Sequence, residues 1–295
     1  MNDTEGAAVG GRYRLDQPVG RGRAGFVHLA FDTMLHRTVA AKRLHVDGVT
    51  GDGGAGGAGD PADVLRTQAH QAMRVVHPNV VRVHDAVRDG TDVWLIMEYV
   101  PSRTMAGFLA EHGALTPPQA AYLGAALGSA LQAAHAAGVP HGRVCPGTVL
   151  LADDGGVKLT DVGIHDRPPD PAYRAPETAH HGTATPEADA YSLGATLFTA
   201  VEGVPPYGAD GTDKQVLPSH GGPLTGALIK LLRAEPDLRP TLADTVEALR
   251  AVNAGRKEGF VPPTAPAMPT VPLVPRPPGT RPAHPGGTGT DADAG

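Results

Sequence analysis

Apolar and polar positions alternate along the first third of the chain. Val27, Leu29 and Phe31 alternate with His28, Ala30 and Asp32, the period-two pattern of a strand with one buried face. Residues 13–44 read as consecutive strands, with 38–41 continuing the extended pattern. Asp60 followed by Pro61 predicts a helix start: aspartate caps, and a proline at the first helical position loses no hydrogen bond. Asp63 in the first turn suits the helix dipole. Residues 80–87 and 93–97 are strand-like. After Pro101 the spacing becomes helical. Residues 120–137 are rich in Ala and Leu and end at Gly138, a C-cap signal. Residues 149–151 and 157–160 flank Asp153-Asp154-Gly155-Gly156, which predicts a hairpin. Residues 189–201, 224–232 and 241–252 read as further helices. Strands first and helices after predict an α+β protein of two lobes.

Composition sets the boundaries. Residues 1–11 are small and polar and are expected to be flexible. Residues 12–100 form the strand-rich lobe and the connection out of it, and residues 101–254 form the helical lobe. Residues 48–60 hold seven glycines in thirteen positions, a flexible loop. Residues 255–295 are rich in Pro and Gly and nearly lack large apolar side chains, so they are expected to be disordered. The net charge of −6 argues against a nucleic-acid partner. The single cysteine, Cys145, allows no intrachain disulfide and fits a reducing compartment. No apolar run approaches the ~18 residues of a membrane span. The first ten residues lack a basic-then-apolar secretion pattern. A cytoplasmic location is expected.

The chemistry begins at Val19-Gly20-Arg21-Gly22-Arg23-Ala24-Gly25-Phe26-Val27, which fits G-x-G-x-x-G-x-V between two strands. Glycines there let backbone N–H groups approach phosphate oxygens. Val39-Ala40-Ala41-Lys42 follows, and Lys42 is the only lysine in residues 1–157. A compact ammonium has been used where the chain otherwise prefers Arg. The order then continues through His77-Pro78-Asn79-Val80-Val81, Leu95-Ile96-Met97-Glu98-Tyr99-Val100, Asp161-Val162-Gly163, Tyr173-Arg174-Ala175-Pro176-Glu177, Asp189-Ala190-Tyr191-Ser192-Leu193-Gly194 and Asp237-Leu238-Arg239-Pro240. In this order and spacing the chain resembles bacterial, actinobacterial-type Ser/Thr protein kinases over roughly residues 12–254. The resemblance implies the two-lobed kinase fold. It implies an ATP site built from Val19, Gly20, Gly22, Gly25, Val27, Ala40, Lys42, Met97, Glu98, Val100 and Leu150, with Met97 as gatekeeper and Asp161 as the magnesium ligand. It also implies that Glu177, Asp189 and Arg239 are structural.

The catalytic half departs from the pattern. The family reads H-R-D-x-K-P-x-N where this chain has His141-Gly142-Arg143-Val144-Cys145-Pro146-Gly147-Thr148. Arg143 stands in place of the aspartate base, and a guanidinium accepts no proton near neutral pH. Cys145 replaces the lysine, and Thr148 replaces the asparagine that holds a second magnesium. No glutamate lies between Glu5 and Glu98, so the helix after the glycine loop offers Lys42 no glutamate; Asp63 is a conceivable substitute but falls on a different face from Gln68. Gln68 occupies the family's glutamate position, able to hydrogen-bond Lys42 but not to form the ion pair of the active state. Residues 164–176, between Asp161-Val162-Gly163 and Glu177, contain no Ser or Thr. Charge-driven ordering by phosphorylation therefore has no acceptor there, apart from Tyr173 of the motif itself.

The expectation is a degenerate member of the family, a pseudokinase that binds ATP with one magnesium rather than two and serves a regulatory or scaffolding role. A weakly active kinase with an unusual base, Asp166 or Asp170, is one alternative. A scaffold that binds no nucleotide is another. The partner is unidentified. The helical lobe, or C-lobe, is one place for it. In the tail, proline recurs every third residue from Pro263 to Pro278, on one edge of a polyproline II helix; this reads first as a semi-rigid spacer, with P-x-x-P docking to a partner's aromatic groove as the alternative.

Overall fold

The computed structural model of the protein describes residues 6–22, 25–46, 60–178 and 184–254. The glycine-rich stretch up to residue 59, the tail from 255 and residues 23–24 of the glycine loop lie outside them, as do the expectations placed there.

The first half builds a six-stranded antiparallel sheet in the order β1-β2-β3-β4-β6-β5. The strands are β1 Ala8–Val9, β2 Tyr13–Gly22, β3 Gly25–Asp32, β4 Arg37–Leu44, β5 Val83–Asp89 and β6 Asp92–Met97. Side-chain alternation sorts its two faces. Tyr13, Leu15, Ala30, Val39, Ala41, Trp94 and Ile96 form one cluster. Ala40, Leu44, Val93, Leu95 and Met97 form the other, packed with Leu65 and Ala69 of helix α1, Pro61–Ala72. The cap expected for α1 is present: the Asp60 side chain accepts the Ala62 N–H at 3.0 Å.

Two expectations change. Residues 8–9, expected to be flexible, pair with Arg14 and Tyr13, and Val9 is buried. Gly10 and Gly11 turn the chain with φ of 55° and 66°, and a Cβ on Gly10 would lie 2.4 Å from Val87 Cγ1. Strand β5 begins at Val83, not at residue 80. Val80 instead makes an isolated parallel bridge to Leu159, and Val81 N–H reaches Leu159 O at 2.9 Å. The backbone is extended at Val80, but its partner is a strand of the other half.

The second half is mostly helical. It contains β7 Ser102–Thr104, α2 Met105–His112, α3 Pro117–Ala136, the antiparallel pair β8 Val149–Ala152 and β9 Val157–Leu159, α4 Pro186–Glu202, α5 Thr225–Leu231 and α6 Leu242–Val252. Helix α3 packs against α4 and α6. Its small residues are what allow this. A Cβ on Gly124 would lie 2.8 Å from both Leu197 and Leu249, and one on Gly128 would lie 2.5 Å from Val246. Residues 188–201 of α4 are buried throughout, so this helix is the centre of the half. Its N-cap is Thr185, whose hydroxyl accepts the Ala188 N–H at 3.1 Å. Thr185→Ala is expected to cost about 1 kcal/mol, a fall of roughly 2–4 °C in a thermal melt of a domain this size.

Candidate functional site

The site forms where the two halves meet. Strands β2 and β3 pair antiparallel with Gly22 opposite Gly25 and Gly20 opposite Val27, so the described glycines of the motif lie at the paired ends of the two strands. Val27 in turn lies opposite Lys42, and Ala40 lies opposite Met97. The apolar residues predicted for the nucleotide converge. Ala40 and Met97 belong to the cluster beside α1, and Val27, Val100 and Leu150 pack against it. Leu150 reaches this cluster from β8. Val19 is half-buried on β2 and is not among these residues. Glu98 faces elsewhere: its carboxylate bonds Lys158 at 2.9 Å and its N–H donates to Arg82 O at 2.8 Å.

Lys42 Nζ lies 2.5 Å from Asp161 Oδ2, and both side chains are largely buried. Asp161 has φ of 62°, a left-handed conformation that aspartate tolerates better than most residues. Gly163 continues the turn at φ 69°, where a Cβ would lie 2.4 Å from Val139. Ile164 N–H closes it on Asp161 O at 3.2 Å. Burial pushes the Asp161 carboxyl up, but Lys42 and then Arg143 outweigh it, so it is held below the usual carboxylate range and stays ionised.

The loop carrying Arg143 hangs from α4. The fully buried Asp189 accepts Gly142 N–H at 2.7 Å, His141 N–H at 2.8 Å and His135 Nε2 at 2.7 Å. His141 is buried, and burial pushes its imidazole pKa down. Its Nδ1 accepts Arg143 N–H at 3.1 Å and its Nε2 faces Thr160 O at 3.0 Å, which fixes the neutral Nε2–H tautomer. Arg143 turns inward. Its Nη1 donates to Asp166 Oδ1 at 2.7 Å and to Ile164 O at 3.0 Å. Asp166 is fully buried; it also meets Arg167 Nε at 3.4 Å, and its Oδ2 accepts no hydrogen bond from any described residue. Burial pushes the Asp166 carboxyl up, but Lys42, Arg143 and Arg167 together hold it low.

The other three departures from the expected pattern, Thr148, Cys145 and Gln68, are also accounted for. The Thr148 hydroxyl accepts Cys145 N–H at 3.1 Å and faces Cys145 O at 3.0 Å and Arg143 O at 3.3 Å, so it is spent on its own loop. Burial pushes the Cys145 thiol up, away from the reactive thiolate. Gln68, placed in sequence as a neutral partner for Lys42, bonds elsewhere: its Oε1 accepts His165 N–H at 2.9 Å. The reason is that Asp161 holds Lys42, while the backbone N–H of His165 is a donor that glutamine satisfies without a charge. His165 and Gly142 were not singled out in the sequence. His165 Nε2 lies 3.1 Å from His141 O, and a Cβ on Gly142 would sit 2.8 Å from that same Nε2. The glycine makes room for the histidine.

Chemically, the cleft offers an apolar cluster, an ammonium and a hard carboxylate oxygen donor. The carboxylate is the donor type magnesium takes, so Asp161 fits one such ion. Among the described residues no group of three or more His, Cys, Asp or Glu could hold a metal by itself, and no helix is long and apolar enough to cross a membrane.

The family model described as "Protein kinase domain" matches residues 13–247. The chain is 34% identical over 281 residues to the serine/threonine-protein kinase PkaA of Streptomyces coelicolor, covering 84% of this chain and 51% of that one. It is 31% identical over 301 residues to the serine/threonine-protein kinase PknA of Mycobacterium tuberculosis, covering 94% and 65%. The chain thus spans about half to two thirds of these relatives. A crystal structure of the Mycobacterium tuberculosis PknI kinase domain superposes with a TM-score of 0.71 at 24% identity, covering 84% of this chain and 98% of that one.

Proposed function

The chain belongs to the protein kinase family, and from that premise we propose that it is a cytoplasmic pseudokinase, which holds ATP with one magnesium ion and acts through its shape and contacts rather than by phosphoryl transfer. The observation that carries this reading is Arg143: a guanidinium stands where the base belongs and is bound to a buried aspartate. The nucleotide half supports ATP binding in its own right. Val27, Ala40, Met97, Val100 and Leu150 gather into one apolar surface, and Lys42 with Asp161 lies beside it. Lys42 would pair phosphates, and Asp161 would hold the ion that bridges them. The partner is a protein, met through the C-lobe or the proline repeat of the tail.

A thermal-shift titration tests the reading. ATP at 100 times its dissociation constant stabilises by about 2.7 kcal/mol, a rise of roughly 5–10 °C. Lys42→Ala lowers the unliganded melting temperature, because Asp161 loses its partner, so the readout is the shift and not the baseline. That shift is expected to shrink. No shift in wild type at millimolar ATP favours the scaffold that binds no nucleotide.

A further inference from the structure

We propose that Asp166 is the second carboxylate of a divalent-cation site shared with Asp161, filling the role that Thr148 cannot. This rests on the nucleotide reading of the same cleft. Thr148 is removed as a ligand because its hydroxyl is committed to Cys145 and Arg143 backbone atoms. Asp166 has the opposite condition. It is fully buried, Oδ1 takes Arg143 and Arg167, and Oδ2 accepts nothing from the described residues. A buried carboxylate oxygen without a donor is uncommon and calls for a partner.

Asp161 and Asp166 belong to one ion cluster. Lys42 bonds Asp161, and its charge is also the strongest of those holding Asp166 ionised. Arg143 acts on both acids, and Asp161 feels the negative charge of Asp166. The turn closed by Ile164 N–H on Asp161 O returns the chain towards Arg143, which grips Ile164 O and Asp166 together. Two carboxylates are all that magnesium or manganese asks of a protein when phosphate oxygens and water complete the shell. Asp170, the other nearby acid, caps Ala172 N–H at 3.2 Å. In the free protein Lys42 competes for Asp161. A nucleotide gives that ammonium other anions, so metal and nucleotide are expected to reinforce each other.

The test uses the full chain, a fluorescent ATP analogue, and Mn²⁺ followed by its paramagnetic resonance. Wild type is expected to bind the analogue in EDTA and to gain about tenfold in affinity with Mn²⁺, within the usual range of such coupling. Asp166→Asn is expected to keep the EDTA affinity and lose most of the gain. Arg143→Leu frees Oδ1 and removes a cation, so its gain is expected to increase. A wild-type gain in Asp166→Asn overturns the proposal. So does an equal loss in Asp166→Asn and Arg143→Leu, which marks a purely structural pair. If the analogue binds in neither condition, the nucleotide reading fails, and Mn²⁺ alone decides this one: bound Mn²⁺ lost in both Asp161→Asn and Asp166→Asn supports it, and any other result overturns it. Each variant is first melted in EDTA. If Asp166→Asn does not fold, Asp166→Ser, which also removes the carboxylate, is read instead and is expected to lose the same gain.

Discussion

Arg143→Asp, the change that restores the family's acid, is expected to destabilise the protein rather than repair it. Its melting temperature should fall by about 10 °C or more, from two effects. Breaking a buried ion pair by removing one partner costs about 3–5 kcal/mol, and each kcal/mol moves the midpoint by roughly 2–4 °C in a domain of this length. Asp166 is fully buried and the Arg143 side chain is 10% exposed, so solvent screens the pair little. The new aspartate also sets a second carboxylate against Asp166 and removes the hydrogen bond to Ile164 O. Two compensating variants separate these effects. Arg143→Asp with Asp166→Asn relieves the repulsion and should recover part of the loss. The exchange Arg143→Asp with Asp166→Arg should recover more, provided the longer side chain fits beside Ile164. A single Arg143→Asp variant that melts within about 2 °C of wild type would show that the pair carries no weight.

The frame of the protein was legible because its signals are local. Alternation in residues 27–32, the Asp60-Pro61 start of α1 and the Asp153–Gly156 hairpin each depend on a few neighbouring residues, and the structure has all three. The ordered motifs gave the fold for the same reason. The partners inside the cleft were not legible. Gln68 meets His165 across 97 positions and Arg143 meets Asp166 across 23, and no local period encodes such pairs. Residues 80–81 show the same limit in the backbone: their extended character is local, but the choice of Leu159 over a neighbouring strand is tertiary. One signal was available. Gly142 follows His141 where the family has arginine, and a glycine at φ 73° with His165 against its Cα explains why a side chain was given up there. Gln68, Gly142, Arg143 and His165 together tie α1, the loop and the start of residues 164–176 into one network. The degenerate positions are thus a set of mutually dependent contacts.

The other large effect is catalytic. Wild-type protein is expected to transfer no phosphate, to itself or to generic acceptor proteins, above an Asp161→Ala control in a radiolabel assay. A positioned general base contributes about 10²–10⁴-fold, and Arg143 supplies none. Its guanidinium is bound to Asp166 and Ile164 O and has no lone pair to offer an incoming hydroxyl. Asp166 is a poor substitute, because Lys42, Arg143 and Arg167 hold its carboxyl low and so weaken it as a proton acceptor. The acid partner of Lys42 on α1 is also missing: Gln68 is neutral and engaged with His165. These losses bear on one transition state and do not simply add, but positioning and charge are nearly all that phosphoryl transfer asks of a protein. The buried pair also fixes what a reversion must contain. Arg143→Asp, Thr148→Asn and Gln68→Glu leave Asp166 facing a new carboxylate, so Asp166→Asn must accompany them. That quadruple variant is expected to fold and to show a trace of transfer, whereas the triple variant is expected to melt early and show none. Transfer by the wild type that Asp161→Ala abolishes would move the protein to the weakly active reading. A pH profile should then rise through the pKa of the acid that serves as base, and the loss of that profile in Asp166→Asn or Asp170→Asn would name it.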